Sequence, residues 1–193
     1  MKEAIVKAFG ESVRVKQAFL RDNLQTLMQA IDAIVAAFKS GNKLLLFGNG
    51  GSAADAQHIA AEFTNRFLIE RPPLPALALT TDTSALTAIA NDYDYSQIFV
   101  KQIKALGKAG DIALAISTSG NSVNVLEAIE TCRQLKISTI GLTGGNGGKM
   151  AVKGKVDYLL RASEGKNSPR IQETHILVGH VICDMVDHML FPA

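Results

Sequence analysis

The apolar run at residues 44–47 (LLLF) ends abruptly at the glycine-rich turn of residues 48–52 (GNGGS), and an alanine-rich helical pattern follows over residues 53–66. A short strand that passes through a tight turn directly into a helix is typical of a parallel α/β sheet. The start of such a helix presents unpaired backbone N–H groups and the positive end of the helix dipole. The junction therefore predicts an anion-binding loop at the end of the first strand.

The same alternation of apolar strands and helical patterns continues to the C-terminus. We predict strands over residues 43–47, 76–80, 112–116, 138–142 and 158–161, and helices over residues 52–65, 84–90, 97–106, 123–135 and 169–190. Because these strands are apolar throughout rather than at alternate positions, helices should cover both faces of the sheet. The predicted fold class is α/β, with a five-stranded parallel sheet flanked by helices.

Residues 2–39 form a helical pattern of their own before the first strand, with an expected break near residues 21–23 (RDN). This arm could lie across the α/β body, but its apolar spacing favours pairing with other subunits. The final helix is apolar on most sides, so we expect a neighbouring chain to bury part of it. A length of 193 residues suits one domain, with oligomerising helices over 1–40 and an α/β sandwich over 41–193.

Charge and composition argue against several kinds of partner. The net charge of +2 gives no reason to expect nucleic acid or an acidic membrane, and no apolar run approaches the roughly 20 residues that span a bilayer. The first residues, MKEA, lack the features of a signal peptide. Cys132 and Cys183 fall within apolar helical patterns, so we expect free buried thiols in a reducing compartment. These observations predict a cytoplasmic protein.

A second strand-to-helix junction, residues 116–122 (ISTSGNS), places four hydroxyl groups and a glycine in one turn. No lysine follows the glycine, which excludes the nucleoside-triphosphate P-loop. Hydroxyls and backbone N–H groups suit a phosphate monoester, whereas a helix cap would need only one of the four hydroxyls. We therefore predict that this serine-rich loop binds phosphate in one site with the first loop, and we interpret a third glycine cluster, residues 143–148 (TGGNGG), as structural.

Two helices carry side chains that could perform chemistry beside these loops. His58 and Glu62 are four residues apart and share one helix face, where they are either a solvated ion pair or part of a site. Gln172 and His180 are separated by a little over two turns of the final helix and can point roughly the same way. Together these nitrogen and oxygen donors are a set that zinc accepts, although this metal signal is weak without the fold.

Other polar residues have less specific interpretations. His175 and His188 are expected to be structural or on the surface. Asn91 and Asp92 end a short predicted helix, where they could contact sugar hydroxyls or serve only as a turn. Arg66, at the end of the helix that carries the His/Glu pair, is either an anion-steering group or the outer partner of a salt bridge.

Residues 48–52, 116–122 and 170–175 (RIQETH) together resemble the sugar-isomerase (SIS) domain family and, within it, the phosphoheptose isomerases. The similarity runs from about residue 40 to the C-terminus, with N-terminal helices alike in layout. It implies a flavodoxin-like sandwich assembled as a homotetramer, with active sites between subunits. It also implies conversion of D-sedoheptulose 7-phosphate to D-glycero-D-manno-heptose 7-phosphate, the first step towards activated heptose for bacterial surface polysaccharide.

The same resemblance assigns roles to individual residues. The family's zinc ligands fall on His58, Glu62, Gln172 and His180, and its catalytic acid–base pair falls on Glu62 and His180. Its substrate contacts fall on Asn49, Gly50, Gly51, Glu62, Asn91, Asp92, Ser117, Thr118, Ser119, Ser122 and Gln172. The residue types fit, because moving a proton from C1 to C2 through an enediol requires a carboxylate or imidazole near the carbon acid, and zinc can stabilise the enediolate. We hypothesise that Glu62 abstracts the proton while His180 acts on the opposite face or on the ring oxygen.

A rival interpretation comes from the same fold. Proteins that bind the DnaA replication initiator share this domain and its tetramer but act as binding modules. A binding module has no need of an acid and a base above a phosphate site, so the presence of Glu62 and His180 favours the enzyme. An isomerase of a different phosphosugar is the other alternative.

Overall fold

Six helices and five strands lie along residues 1–192, the part of the chain that this computed structural model describes. The helices are α1 (Lys2–Lys39), α2 (Gly51–Thr64), α3 (Thr83–Asp92), α4 (Ile98–Leu106), α5 (Val123–Gln134) and α6 (Ser168–Leu190). The strands are β1 (Leu44–Gly48), β2 (Ala76–Ala78), β3 (Ile112–Ile116), β4 (Ser138–Gly144) and β5 (Tyr158–Ala162). Helices and strands alternate, except that α4 follows α3 and β5 follows β4, with short 3-10 turns in between at Tyr95–Gln97 and Gly148–Ala151.

All five strands are parallel and form one sheet in the order β2-β1-β3-β4-β5. The order reverses between β1 and β3, so the connections that leave these two neighbours run in opposite directions across the sheet. Gly48 at the end of β1 is in register with Ile116 at the end of β3. The α/β prediction and the flavodoxin-like arrangement are therefore confirmed, and the two candidate loops flank the switch point at which such sheets bind ligands.

Two apolar cores lie on opposite faces of the sheet. Successive side chains of β1 alternate between them, with Leu44 and Leu46 facing α1, α2 and α6, and with Leu45 and Phe47 facing α4 and α5. All four side chains are fully buried. The continuous apolar run in the sequence is thus explained by a sheet that is covered on both faces.

Helix α1 is continuous, so the break expected near residues 21–23 is wrong. The buried Asn23 side chain donates to the carbonyl oxygen of Phe19, one turn earlier, at 2.8 Å. It also donates to the Arg161 carbonyl oxygen at 3.1 Å and accepts from the Arg161 backbone N–H at 3.0 Å. The Asn23 side chain therefore pairs with the backbone of the edge strand β5, as a neighbouring strand would. An asparagine normally favours a helix end, but here its side-chain amide has hydrogen-bond partners at a position inside the helix.

An apolar stripe on α1 is left open, although the second half of that helix also contributes to the core beside α6. More than half of the residue surface is exposed at Ile5, Val6, Phe9, Val13, Leu20, Leu24 and Met28. A groove of about 290 Å³ between α1 and α6 continues this surface. An apolar area of this extent is typical of a protein interface.

The remaining general expectations concern thiols and membranes. Cys132 and Cys183 are free and buried, as predicted. Within residues 1–192, no helix combines the length and the apolar character that crossing a membrane requires.

Candidate active site

The glycine-rich turn after β1 is shaped by close backbone approaches. A Cβ atom at Gly48 would lie 2.8 Å from the carbonyl oxygen of Ile116, so only glycine fits where β1 and β3 end side by side. Gly50 has a φ of 56° and precedes α2 without providing a side-chain cap. A Cβ atom at Gly51 would lie 2.6 Å from Gln172 Nε2, which places the Gln172 amide directly against the first turn of α2. The predicted contacts Gly50, Gly51 and Gln172 are thus brought together.

The serine-rich loop leaves its hydroxyls free of the helix that follows. Ser122 precedes α5 but makes no side-chain capping bond, and its Oγ lies 3.0 Å from Ser117 Oγ instead. By contrast, the side chains of Asp82 and Asn167 accept backbone N–H groups at the starts of α3 and α6. The capping interpretation of the serines therefore fails.

At the starts of the two helices, the Val125 N–H of α5 donates to Asn124 Oδ1, and the Ser52 and Ala53 N–H groups of α2 donate to backbone carbonyl oxygens. An anion would therefore bind at the N–H groups that precede these at the two helix starts.

The third glycine cluster supports the serine-rich loop, which is a structural role of the kind predicted. Gly120 has a φ of 66°, and a Cβ atom there would overlap the carbonyl oxygen of Gly147. A Cβ atom at Gly148 would likewise overlap the carbonyl oxygen of Ser119. The Lys149 backbone N–H donates to the Asn121 side chain at 3.0 Å. Only glycines allow these two loops to pack so closely.

Asn49, a predicted substrate contact, is held by two residues that the sequence analysis missed. Its Nδ2 donates to Asn124 Oδ1 at 2.9 Å, and Asn124 Nδ2 donates back to Asn49 Oδ1 at 2.8 Å. The Tyr95 hydroxyl also donates to Asn49 Oδ1, at 3.1 Å. The Asn49 side chain therefore links the first turn to α5 beside an open cleft of about 420 Å³ that Ser122 also lines. The signal that could have indicated this link was the spacing of Asn124, which is four residues before Ala128 and eight before Cys132 and so lies on the buried face of α5.

His58, Glu62 and His180 converge between α2 and α6. His58 Nε2 lies 2.9 Å from His180 Nε2, with one ring donating to the other, and 3.4 Å from Glu62 Oε1. The two helices approach closely because residue 179 is glycine, where a Cβ atom would overlap the Ile59 side chain. The predicted pair on α2 and His180 of the predicted pair on α6 therefore share one site, whereas Gln172 lies beside Gly51.

Two further side chains surround this group and were not predicted. Phe67 stacks on the His180 ring, with centroids 5.6 Å apart and planes inclined by 24°. Asp55 Oδ2 is enclosed and has no hydrogen-bond partner among residues 1–192. Burial raises the pKa of the Asp55 carboxyl group, while the positive charges of His58 and His180 oppose that rise. The signal for Asp55 was its position three residues before His58, on the same helix face.

All four predicted zinc ligands have donor atoms that zinc accepts, and two separations among three of them are close to those of a tetrahedral site. Bonds of about 2.0–2.1 Å in a tetrahedral site separate the ligand atoms by roughly 3.3 Å, and the separations from His58 Nε2 to His180 and Glu62 are 2.9 and 3.4 Å. Gln172, in contrast, lies beside Gly51, about two turns of α6 before His180. Among residues 1–192, no three side chains of His, Cys, Asp or Glu are already assembled as a metal site. The four predicted ligands are therefore not assembled around one point in this structure.

The other polar candidates lie outside this group. Asn91 and Asp92 are exposed at the end of α3, where Asn91 Nδ2 donates to Asp92 Oδ1 at 2.9 Å. Arg66 forms an exposed ion pair with Glu70 at 3.5 Å, which corresponds to the salt-bridge alternative.

The two remaining histidines have the structural and surface positions expected of them. His175 is fully buried, its Nε2 donates to the Thr143 carbonyl oxygen at 3.0 Å, and burial lowers its pKa from 6.5 to about 4. His188 is exposed, and its Nδ1 donates to the Asp184 carbonyl oxygen one turn earlier.

Comparisons with known proteins find similar chains over nearly the whole length. The sequence profile of the SIS domain family matches residues 9–144. A phosphoheptose isomerase of Thermodesulfovibrio yellowstonii is 52% identical over 191 residues, which cover 99% of this chain and 94% of that protein. The structure of a phosphoheptose isomerase from Neisseria gonorrhoeae has a TM-score of 0.89 at 45% identity, covering 96% of this chain and 98% of that one. That of a phosphoheptose isomerase from Francisella tularensis has a TM-score of 0.90 at 40% identity, covering 96% and 97%.

Proposed function

The chain belongs to the SIS domain family and, within it, to the phosphoheptose isomerases, and from this membership we propose that it converts D-sedoheptulose 7-phosphate to D-glycero-D-manno-heptose 7-phosphate. The observation that carries the proposal is the group of His58, Glu62 and His180, which lies between α2 and α6. The glycine-rich turn is next to this group, because Gly51 at the start of α2 lies against Gln172 of α6. The product would enter the synthesis of activated heptose for lipopolysaccharide in the cytoplasm.

The phosphate group of the substrate is assigned to the serine-rich loop. The hydroxyls of Ser117, Thr118, Ser119 and Ser122 stand near the start of α5. There the Ser122 side chain forms no cap, and the Val125 N–H donates to Asn124 Oδ1. Neutral donors and a helix dipole are sufficient for a phosphate monoester. Asn49, Gly50 and Gly51 then face the rest of the sugar at the neighbouring strand end.

The proton transfer is assigned to Glu62 and His180. A ketose becomes an aldose when a base removes the C1 proton, an enediol forms, and a proton returns to C2 while another moves between the oxygens. The Glu62 carboxylate is the proposed base, and the His180 imidazole, held by the Phe67 ring, exchanges the proton with oxygen. The buried Asp55 carboxyl group lies close enough to both imidazoles for charge on them to lower its pKa, against the rise that burial causes.

Zinc is proposed as the cofactor, held by His58, Glu62, Gln172 and His180. When bound, it would supply Lewis-acid stabilisation of the negative charge that develops on the sugar oxygens. Support comes from the donor types and from the two measured separations around His58 Nε2.

We also propose a homotetramer, in which neighbouring subunits would bury the exposed apolar stripe on α1 and the groove between α1 and α6. Neither nucleic acid nor a membrane is expected as a partner, in line with the net charge of +2.

One assay tests the reaction itself. Purified protein is incubated with sedoheptulose 7-phosphate, with a chelator and with added Zn²⁺, and the aldose product is followed. The proposal expects turnover that the chelator abolishes and Zn²⁺ restores. No turnover with Zn²⁺ present, together with binding to the DnaA replication initiator, would establish the binding-module alternative. Turnover only of a shorter sugar phosphate would establish the second alternative, an isomerase of a different phosphosugar.

A further inference from the structure

Arg71 is a buried cation that the proposed chemistry leaves without a role. Its side chain is 1% exposed, and its Nε donates to Asp187 Oδ1 at 2.9 Å. Its Nη1 donates to the Phe63 carbonyl oxygen at 2.7 Å, and its Nη2 donates to the Glu62 carbonyl oxygen at 2.9 Å. One guanidinium therefore contacts both the backbone of the proposed base and the helix that carries His180.

The Arg71 guanidinium caps the C-terminus of α2. The last carbonyl groups of a helix lack partners within the helix and carry the negative end of its dipole. Helix α2 has no basic residue in its last turn, and Asn65 follows it rather than a glycine in the left-handed conformation. Arg71 Nη1 also donates to the Asn65 carbonyl oxygen at 3.2 Å. The end of α2, where Glu62 is located, is thus fixed by a residue outside the helix.

At α6, the anchor is Asp187, which lies about two turns after His180 and is 3% exposed. A buried ion pair stabilises a fold weakly, because the loss of hydration offsets most of the attraction. Apolar side chains could hold two helices together as well. A rigid planar guanidinium, however, fixes a direction and a register that apolar contacts do not.

We propose that Arg71, paired with Asp187, is a positioning residue that sets the register of α2 against α6 and thereby keeps Glu62 and His180 at working distance. The inference rests on the proposed isomerase function for its kinetic consequence. Of the predicted substrate contacts, the Arg71 side chain touches only Glu62, and only at the backbone carbonyl oxygen, so it acts through the backbone of α2.

The test compares Arg71→Met and Asp187→Asn with Asp111→Asn. Asp111 is fully buried and pairs with Lys43 at 2.5 Å, but at the opposite, amino-terminal edge of β1 and β3. All three variants lose a buried ion pair, so all three should lower Tm. Only the first two should lower kcat, by about 100-fold for a displacement near 1 Å, with little change in KM because the phosphate loop is untouched.

Arg71→Lys provides a conservative variant in case Arg71→Met does not fold. It keeps the charge but replaces the fork of donors with one ammonium group, so kcat should be intermediate. If kcat in the Arg71 and Asp187 variants falls no further than in Asp111→Asn, or if it follows Tm across the whole set, the pair is merely structural and the inference is wrong.

Cys183 supplies a readout that needs no turnover. It is fully buried on α6, about one turn after His180 and one turn before Asp187. Burial raises the pKa of its thiol to about 12, with Glu62 and Asp187 adding to the rise and Arg71 opposing it. Loosening α2 from α6 should speed its labelling by N-ethylmaleimide in the Arg71 and Asp187 variants, but not in Asp111→Asn or at the buried Cys132. If wild-type protein shows no isomerase activity, the proposed function fails, whereas equal Cys183 labelling in all variants contradicts the positioning role itself.

Discussion

The Glu62 carboxylate is the single group on which the proposed reaction depends most, because it is the proposed base. Its Oε1 lies beside His58, which is hydrogen-bonded to His180. Glu62→Gln keeps the size of the side chain and removes the base, so kcat should fall about 10²- to 10⁴-fold while KM changes little. Steady-state assays with sedoheptulose 7-phosphate measure both constants. Glu70→Gln, on an exposed carboxylate paired with Arg66, is the matched control and should retain wild-type turnover. Near-normal turnover by Glu62→Gln would refute the assignment.

His175 makes stability depend on pH. Its pKa is about 4 in the folded protein, below the ordinary 6.5, because burial disfavours the charged ring. Between pH 6.5 and pH 4 the His175 ring binds a proton in the unfolded chain but not in the folded chain. The free energy of unfolding is therefore unaffected by this group above pH 6.5 and falls as the pH drops towards 4. The loss from this group should reach about 2 kcal/mol at pH 5.

Urea unfolding at pH 7.5 and pH 5 measures this effect. His175→Gln removes the titrating ring and should flatten the dependence, whatever its effect on stability at pH 7.5. His188→Gln, at an exposed histidine, should keep the wild-type slope. An unchanged slope in His175→Gln would show that other groups cause the acid sensitivity.

At the scale of elements, glycine and serine residues that interrupt the apolar patterns made the strands and helices predictable. Strand β3 was predicted with its observed ends and α2 to within one residue, because glycine and serine residues mark both ends of β3 and the start of α2. The break in α1 was predicted wrongly because the partner of Asn23 is the backbone of Arg161, which is remote in sequence. Phe67 was missed for the same reason, since its contact with His180 is created only when α6 packs on α2.

The serine-rich loop provides a prediction at this scale. Gly120→Ala would place a Cβ atom against the carbonyl oxygen of Gly147, so the loop must move away from its support. We expect KM for the sugar phosphate to rise at least about tenfold, because one lost phosphate contact costs 1.4 kcal/mol or more. Gly41→Ala is the matched control, since φ is likewise positive there but the space is open and far from the site. It should lower Tm and leave KM unchanged, and an equal rise in KM would show that backbone strain alone is responsible.

For the whole molecule, the sequence indicates where apolar surface lies but not what covers it. The spacing in residues 2–39 left two alternatives, and the structure contains elements of both. Part of α1 packs on its own α6 and β5 through buried residues such as Phe19 and Leu27, while a second stripe faces outward. A helix with two apolar stripes can satisfy only one of them within a single chain. The other stripe requires a partner, and identical chains are the commonest source.

The stripe therefore makes the assembly state a direct test of the proposed homotetramer. Wild-type protein should sediment with a mass four times the 20.6 kDa of one chain. Phe9→Glu places a charge in the exposed stripe of α1 and should yield smaller species, because burying an unpaired carboxylate is costly. Val152→Glu, at an exposed apolar residue outside α1 and α6, should leave the mass unchanged. Dissociation should also reduce turnover if neighbouring subunits complete the site, whereas a wild-type mass of one chain would show that the stripe serves another partner.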